Sequence, residues 1–247
     1  MTVVYGIVPA ETPLNELPAG VAGAPVGRVE VGKVAALVSP FDGPELRATR
    51  RDLLSHSAVL EHAVARGPVL PLRFGTVVAG DEEVASELLE PAHDELGKLL
   101  DRFQAFIELR VKAFYDEESV LREIVRSDPA VARMREAVRD LPDGARHPDQ
   151  LRLGEAVARA LDARRVDDTE RIFGRLRSLA ADSVLEENES LLALTASFLV
   201  ERRRVREFDE AMDEIARHYD GVMTFKYLGP LPPHSFVSMA EVTAWAS

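Results

Sequence analysis

The side chains able to do chemistry are scattered along this chain. There are six histidines, His56, His62, His93, His147, His218 and His234. His56 and His62 are six residues apart in one helical pattern, which sets them about 120° apart around a straight axis, so they do not face one ion. No H-E-x-x-H sequence is present. Ser57 follows His56 and Ser235 follows His234, but adjacency in sequence says nothing about the geometry a nucleophile and its base require, and no G-x-S-x-G elbow occurs. Gly32-Lys33 and Gly97-Lys98 lack the glycine-rich loop that would cradle a phosphate. Carboxylate pairs such as Glu82-Glu83 and Glu117-Glu118 read as solvated faces of an acidic protein. With no cysteine in the chain, disulfides, thiolate ligands and thiol nucleophiles are excluded. The residues therefore name no catalytic group, no metal site and no cofactor site.

Acidic residues outnumber basic ones by 42 to 30, a net charge of −12. Such a surface repels a phosphate backbone, so nucleic acid is not an expected partner. The densest basic run, Arg202, Arg203, Arg204 and Arg206, lies among Glu201, Glu207 and Asp209 and reads as a solvated mixed-charge face. The opening residues lack the positive start of a signal peptide, and no stretch approaches the roughly 18 apolar residues of a membrane helix. The expectation is a soluble, cytoplasmic protein, consistent with the missing cysteines.

These residues would be carried by alternating strands and helices. Residues 3–8 are β-branched and strand-like, and residues 26–31 and 34–38 form a hairpin around Gly32-Lys33. Apolar residues at helical spacing fill residues 49–65, with Thr49 and Asp52 as an incomplete capping box. Residues 69–76 contain Pro71 and predict an edge strand or irregular segment. Residues 81–103 predict a helix in two pieces around Glu90-Pro91. The clearest strand is 106–115, where Ile107, Leu109, Val111 and Ala113 alternate with Glu108, Arg110 and Lys112, one face apolar and one charged. Asp116 and Asp128-Pro129 each predict a helix start. His147-Pro148-Asp149 reads as a turn, like Leu141 to Gly144. Beyond it the apolar stripe weakens at Val166-Asp167-Asp168 and resumes at Ile172, so two helices or one kinked helix fit equally well. A strand at 191–200, a helix through Val205, Phe208, Met212, Ile215 and Tyr219, and a strand at 222–228 follow. Three prolines among residues 229–233 then predict a stiff extended connector rather than a central strand. The order fits an α+β protein.

Several segments together resemble the gas-vesicle GvpF/GvpL family. They are Val4-Tyr5-Gly6-Ile7-Val8, residues 34–39, residues 56–64, Val69-Leu70-Pro71-Leu72-Arg73-Phe74-Gly75-Thr76, Glu108-Leu109-Arg110-Val111-Lys112-Ala113, and Gly229-Pro230-Leu231-Pro232-Pro233-His234-Ser235-Phe236-Val237. The family usually has an aromatic where Leu231 stands and often Tyr where His234 stands. The resemblance implies two α+β domains, residues 1–104 and 105–247, the second a ferredoxin-like variant with a helical insertion at about residues 128–181. It implies no enzyme and no cofactor, but an accessory protein of gas-vesicle assembly or nucleation. Its expected partners are the small hydrophobic shell protein and other gas vesicle accessory proteins, not nucleic acid or membrane. It is expected to work in the cytoplasm, associated with the gas vesicle. Within the matched segments Arg73, Phe74, Leu231, His234 and Phe236 are the candidate partner-binding residues. The competing expectation is an enzyme or small-molecule sensor on a ferredoxin-like scaffold, since one scaffold hosts many functions. Arg73 is expected either on a solvated edge or in an ion pair with an acidic helix. Phe236 is expected to be buried between the domains or to form part of an exposed docking patch. The insertion is expected to be loosely attached.

Overall fold

The computed structural model describes residues 1–43, 46–140, 147–186 and 191–237. It divides into two compact units. The first comprises the described residues within 1–109, 199–203 and 228–237, the second those within 110–198 and 204–227.

In the first unit, β1 (Thr2–Pro9) is paired antiparallel with β3 (Val34–Pro40), which pairs in turn with β2 (Gly27–Val31) across the turn at Gly32-Lys33. The other edge of β1 takes two short strands, β4 (Leu70–Pro71) and β5 (Val77–Val78). Pro71 thus lies in an edge strand, where its missing N–H is tolerated. The register between β1 and β3 shifts between Val4 and Gly6, so Tyr5 is an extra residue in the ladder. Such a bulge reverses the parity of everything beyond it. Val4 opposite Val38 and Ile7 opposite Ala36 consequently point to the same side, where they pack with Leu89, Leu96, Leu100 and Phe103. The Gly6 position faces the other way: a Cβ there would lie 2.8 Å from the Leu70 carbonyl and 2.9 Å from the Leu60 side chain, so only glycine fits.

That second face is covered by α1 (Arg50–Val64), which buries His56, Val59, Leu60, Ala63 and Val64. Thr49 caps it by accepting the Asp52 N–H at 3.2 Å. The capping box is not reciprocal, because the Asp52 carboxylate takes the Thr49 hydroxyl at 2.6 Å and the Ala22 N–H at 3.0 Å. The helix expected at residues 81–103 does break around Pro91. One piece is α2 (Asp81–Glu83) running into a π-helical turn at Val84–Leu89, the other is α3 (His93–Phe103).

The second sheet has the order β7-β8-β6-β9, formed by β6 (Phe106–Tyr115), β7 (Asp182–Leu185), β8 (Leu192–Glu201) and β9 (Met223–Leu231). β7 is mostly exposed and lacks the apolar run that betrays a strand. β9 continues three residues past the expected end and takes in Pro230; at the sheet edge the proline withholds no needed donor.

The helices of the second unit are α4 (Glu117–Ser127), α5 (Pro129–Asp140), α6 (His147–Arg177) and α7 (Val205–His218). Asp116 accepts the Ser119 N–H at the head of α4, and Asp128 accepts the Ala130 and Val131 N–H groups at the head of α5. His147-Pro148-Asp149 opens α6 instead of making a turn. Proline in a first helical turn lacks only an N–H that would be unsatisfied anyway. The turn expected at residues 141–144 lies outside the described residues.

α6 is one 31-residue helix, and the weak point in its stripe is a buried polar anchor. Asp168 is 5% exposed and accepts the Tyr115 hydroxyl at 2.7 Å, the Tyr219 hydroxyl at 2.8 Å and Arg164 Nε at 3.2 Å. Arg164 also pairs with Glu123 of α4 at 2.8 Å. Burial first, then the hydrogen bond to Asp168, pushes the Tyr219 hydroxyl up to about 12, and the Tyr115 hydroxyl is raised for the same reasons. Thr169 beside it donates to the Ala193 carbonyl, and Ile172 and Leu176 are fully buried. The expected loose attachment therefore does not describe this half of the insertion.

Asp168→Ala leaves two buried tyrosine hydroxyls without their acceptor and should cost roughly 3–5 kcal/mol. Asp168→Asn, which keeps an accepting oxygen, should cost clearly less. Urea denaturation measures both. Losses under about 1 kcal/mol for the alanine variant contradict the anchoring role.

Candidate functional site

Two of the candidate residues, Phe74 and His234, lie near His56. Its ring lies 5.3 Å from that of Tyr5 and meets Phe74 edge-on at 5.7 Å. Tyr5 is held by its own hydroxyl, which accepts the Val21 N–H at 2.8 Å and bonds Ser39 Oγ at 2.7 Å. Gly20 permits this close approach, since a Cβ there would sit 2.1 Å from the hydroxyl. His56 is 5% exposed, and its Nε2 has no hydrogen-bond partner among the described residues. Burial, then the nearby charge of His234, lowers its pKa to about 4. At neutral pH the ring is uncharged and acts as an aromatic filler beside Phe74.

The segment after β9 reaches the same region. Glu108, expected on a charged face, is 2% exposed. Its two carboxylate oxygens accept the Ser235 N–H and the Ser235 hydroxyl, both at 2.8 Å. A buried carboxylate needs such donors, and here they fix the position of the following residue. Phe236 packs, partly buried, against the cluster formed by Val4, Leu72, Leu89 and their neighbours. His234 is exposed and Leu231 is half-buried at the end of β9.

Arg73 is exposed, and among the described residues its guanidinium has no carboxylate partner, which corrects the expected ion pair with an acidic helix. Its backbone carbonyl accepts from the Thr76 N–H and hydroxyl, closing a turn that presents Arg73 and half-buried Phe74 side by side. The structure thus brings Phe74, His234 and the anchor of Phe236 to one unit. Sequence reasoning passed over Tyr5, His56 as a buried ring, and Glu108. The signal available for Glu108 was the one acid in a strand whose other charged residues, Arg110 and Lys112, are basic.

The same unit holds a half-open cleft of about 780 Å3, with Glu11, Lys33, Arg66, Asp101 and Arg202 on its walls. Arg202 is not part of a solvated face, as its run suggested. It is half-buried and donates to the carbonyls of Val64 and Gly67 at 2.8 and 3.2 Å, closing the end of α1. Burial lowers its pKa. Among the described residues no cluster of three or more His, Cys, Asp or Glu is placed to hold a metal ion. The arrangement around His56 can bind an apolar or aromatic group against Phe74 and an anion at Arg73. It pairs no nucleophile with a base.

A neutral buried histidine makes stability depend on pH. Its folded pKa is depressed below the ordinary 6.5, to about 4, so its contribution is complete above pH 6.5 and is lost as pH falls from 6.5 toward 4. The melting temperature should therefore drop between pH 7.5 and 5, and His56→Phe should flatten that drop. An identical pH profile in the variant contradicts the assignment.

The comparisons with known proteins agree with this architecture. The family model described as "Gas vesicle synthesis protein GvpL/GvpF" matches residues 1–238. Gas vesicle protein F of Streptomyces sp. (strain CB03234) is 37% identical over 245 residues, covering 96% of this chain and 99% of that protein. Gas vesicle protein L of the same strain is 27% identical, covering 96% and 93%. The crystal structure of GvpF from Anabaena sp. PCC7120 superposes with a TM-score of 0.75 at 25% identity, covering 96% of this chain and 95% of that one. That of GvpF from Microcystis aeruginosa gives 0.74 at 23% identity and shows the shared fold. A family match over nearly the whole length, a relative above one third identity and the common two-sheet α+β architecture lead to one conclusion: this chain belongs to the gas vesicle GvpL/GvpF family.

Proposed function

We propose that this protein is an accessory factor of gas-vesicle assembly or nucleation that binds the small hydrophobic shell protein, and that it does so without catalysing a reaction. The observation that carries the reading is the pair Arg73 and Phe74. An exposed arginine without a carboxylate partner among the described residues stands beside a half-buried aromatic ring, on a turn backed by the buried His56. Arginine and aromatic residues are what binding surfaces use as anchors, and a rigid backing lowers the entropy lost on docking. We read His234, which lies near His56, and the segment that Ser235 ties to Glu108 as further parts of the binding region, with Leu231 and Phe236 on either side of them.

The acidic exterior, with a net charge of −12, supports the reading. A polymerising apolar protein aggregates before it assembles, and a strongly charged partner keeps the complex dispersed. The same charge speaks against nucleic acid as a partner. Among the described residues no helix is long and apolar enough to cross a membrane; we place the protein in the cytoplasm at the growing vesicle, where other accessory proteins are further candidate partners. We also read residues 105–247 as a ferredoxin-like domain with a helical insertion at about 128–181, preceded by an α+β domain at 1–104. The strand order β7-β8-β6-β9 and the chain order strand, helices, two strands, helix, strand support that reading.

The shell protein should be captured by the wild-type chain. Arg73→Ala should leave the melting temperature unchanged, because the side chain is exposed, and should weaken capture by roughly tenfold. Phe236→Ala should cost roughly 2 kcal/mol of stability, below the 3–5 kcal/mol of a fully buried phenylalanine. Unchanged capture by an Arg73→Ala, Phe74→Ala double variant that melts normally would sink the proposed surface.

A further inference from the structure

The head of α1 is built against the helix dipole. Arg50 and Arg51 occupy its first two positions, where the exposed N–H groups already give a positive end and cations are disfavoured. Both are exposed, and among the described residues neither forms an ion pair. The carboxylate in the same turn, Asp52, accepts the Thr49 hydroxyl and the Ala22 N–H. Those hydrogen bonds and, to a lesser degree, the adjacent Arg51 hold that carboxyl below its ordinary range, but neither arginine is tied down by an ion pair among the described residues.

They border an open apolar groove. Leu54 is 60% exposed and lies one turn beyond Arg50; Ala58 lies one turn further, and Ser55 and Ala19 form the remaining wall. Leu53, 42% exposed, continues the apolar surface to one side. The groove measures about 600 Å3, enough for a row of aliphatic side chains. Two adjacent exposed leucines on one helix are unusual for a surface that only meets water. Cations edging an apolar strip, on a chain whose net charge is −12, select the sign of whatever covers it.

We propose that this groove is a docking surface for an amphipathic helical segment of a partner protein, whose apolar stripe fills the groove over Leu54 and Ala58 and whose flanking carboxylates pair with Arg50 and Arg51. It deepens the proposed function and rests on that reading in taking the occupant to be a protein. Its own content is the chemistry of the occupant, aliphatic with acidic edges.

The test uses the full chain and two synthetic helical peptides with the same leucine stripe, one flanked by glutamate and one by lysine. The glutamate peptide should bind roughly tenfold tighter than the lysine peptide. Leu54→Ser should weaken the glutamate peptide by a similar factor. The double variant Arg50→Glu, Arg51→Glu should reverse the preference. It should fold, because glutamate is favoured in a first helical turn, and its melting curve checks this. Binding of neither peptide, or a preference untouched by the charge reversal, overturns the proposal. Binding of vesicles containing phosphatidylglycerol but of neither peptide overturns it in favour of a lipid surface. Because the probes are synthetic, the outcome is separable from shell-protein capture. Lost capture with an intact peptide preference contradicts only the proposed function, and intact capture with no peptide preference contradicts only the groove.

Discussion

The first unit depends on burying one strand from both sides. Every residue of β1 from Thr2 to Val8 is buried, although an antiparallel sheet commonly leaves one face to water. A strand with no solvent face cannot use simple alternation, because both parities are apolar. The bulge at Tyr5 divides it. Val4 and Ile7 serve the face covered by α3 and the π-helical turn, while Gly6 opens the opposite face to the close approach of α1. Tyr5 itself is tied by its hydroxyl to Ser39 and to the backbone of Val21, so the one polar atom that the bulge buries is satisfied.

That arrangement sets what the first unit presents to solvent. With α1 pressed onto β1, His56 is turned inward and backs Phe74, while the first two turns of the same helix leave Arg50, Arg51 and Leu54 exposed. One helix therefore supplies a rigid support on one side and an exposed, positively edged strip on the other. The C-terminal segment is fixed by a different device. Glu108 is buried in β6 and takes both donors of Ser235, so the placement of Phe236 follows from a satisfied charge and not from apolar contact alone. In the second unit a carboxylate again does the fixing. Asp168 gathers two tyrosines and an arginine in the C-terminal half of a 31-residue helix. Both devices hold an element in one position at the cost of desolvating a charge, a cost that the surrounding donors offset.

Much of the fold was legible in the sequence. The strand at 106–115, the hairpin at Gly32-Lys33, the helix starts at Thr49, Asp116 and Asp128 and the break near Pro91 all rest on local rules that tertiary context did not override. What escaped was set by distant partners. Asp168 looked like a fault in an apolar stripe because its tyrosines come from elements more than 50 residues away. Glu108 looked solvated because its donor lies 127 residues on. β7 shows no apolar pattern because most of its side chains face water. Arg202 sat in a basic run that reads as surface, and its partners are the free carbonyls ending α1, which no sequence pattern announces. Of the candidate site, the segments around Arg73 and His234 stood out through proline and family resemblance. The buried ring that supports them did not, since a histidine in a helix gives no hint of whether it faces in or out.

On the proposed function, the partner meets the first unit at the head of α1 and along the Arg73 and His234 segments. Hydrogen exchange of this chain, alone and with the shell protein, tests it most directly. Slowed exchange is expected at the amide groups of residues 50–58, 73–76 and 234–237, with α5 and the first half of α6 unchanged. Protection confined to α5 and α6, with those three segments exchanging as in the free chain, would contradict it.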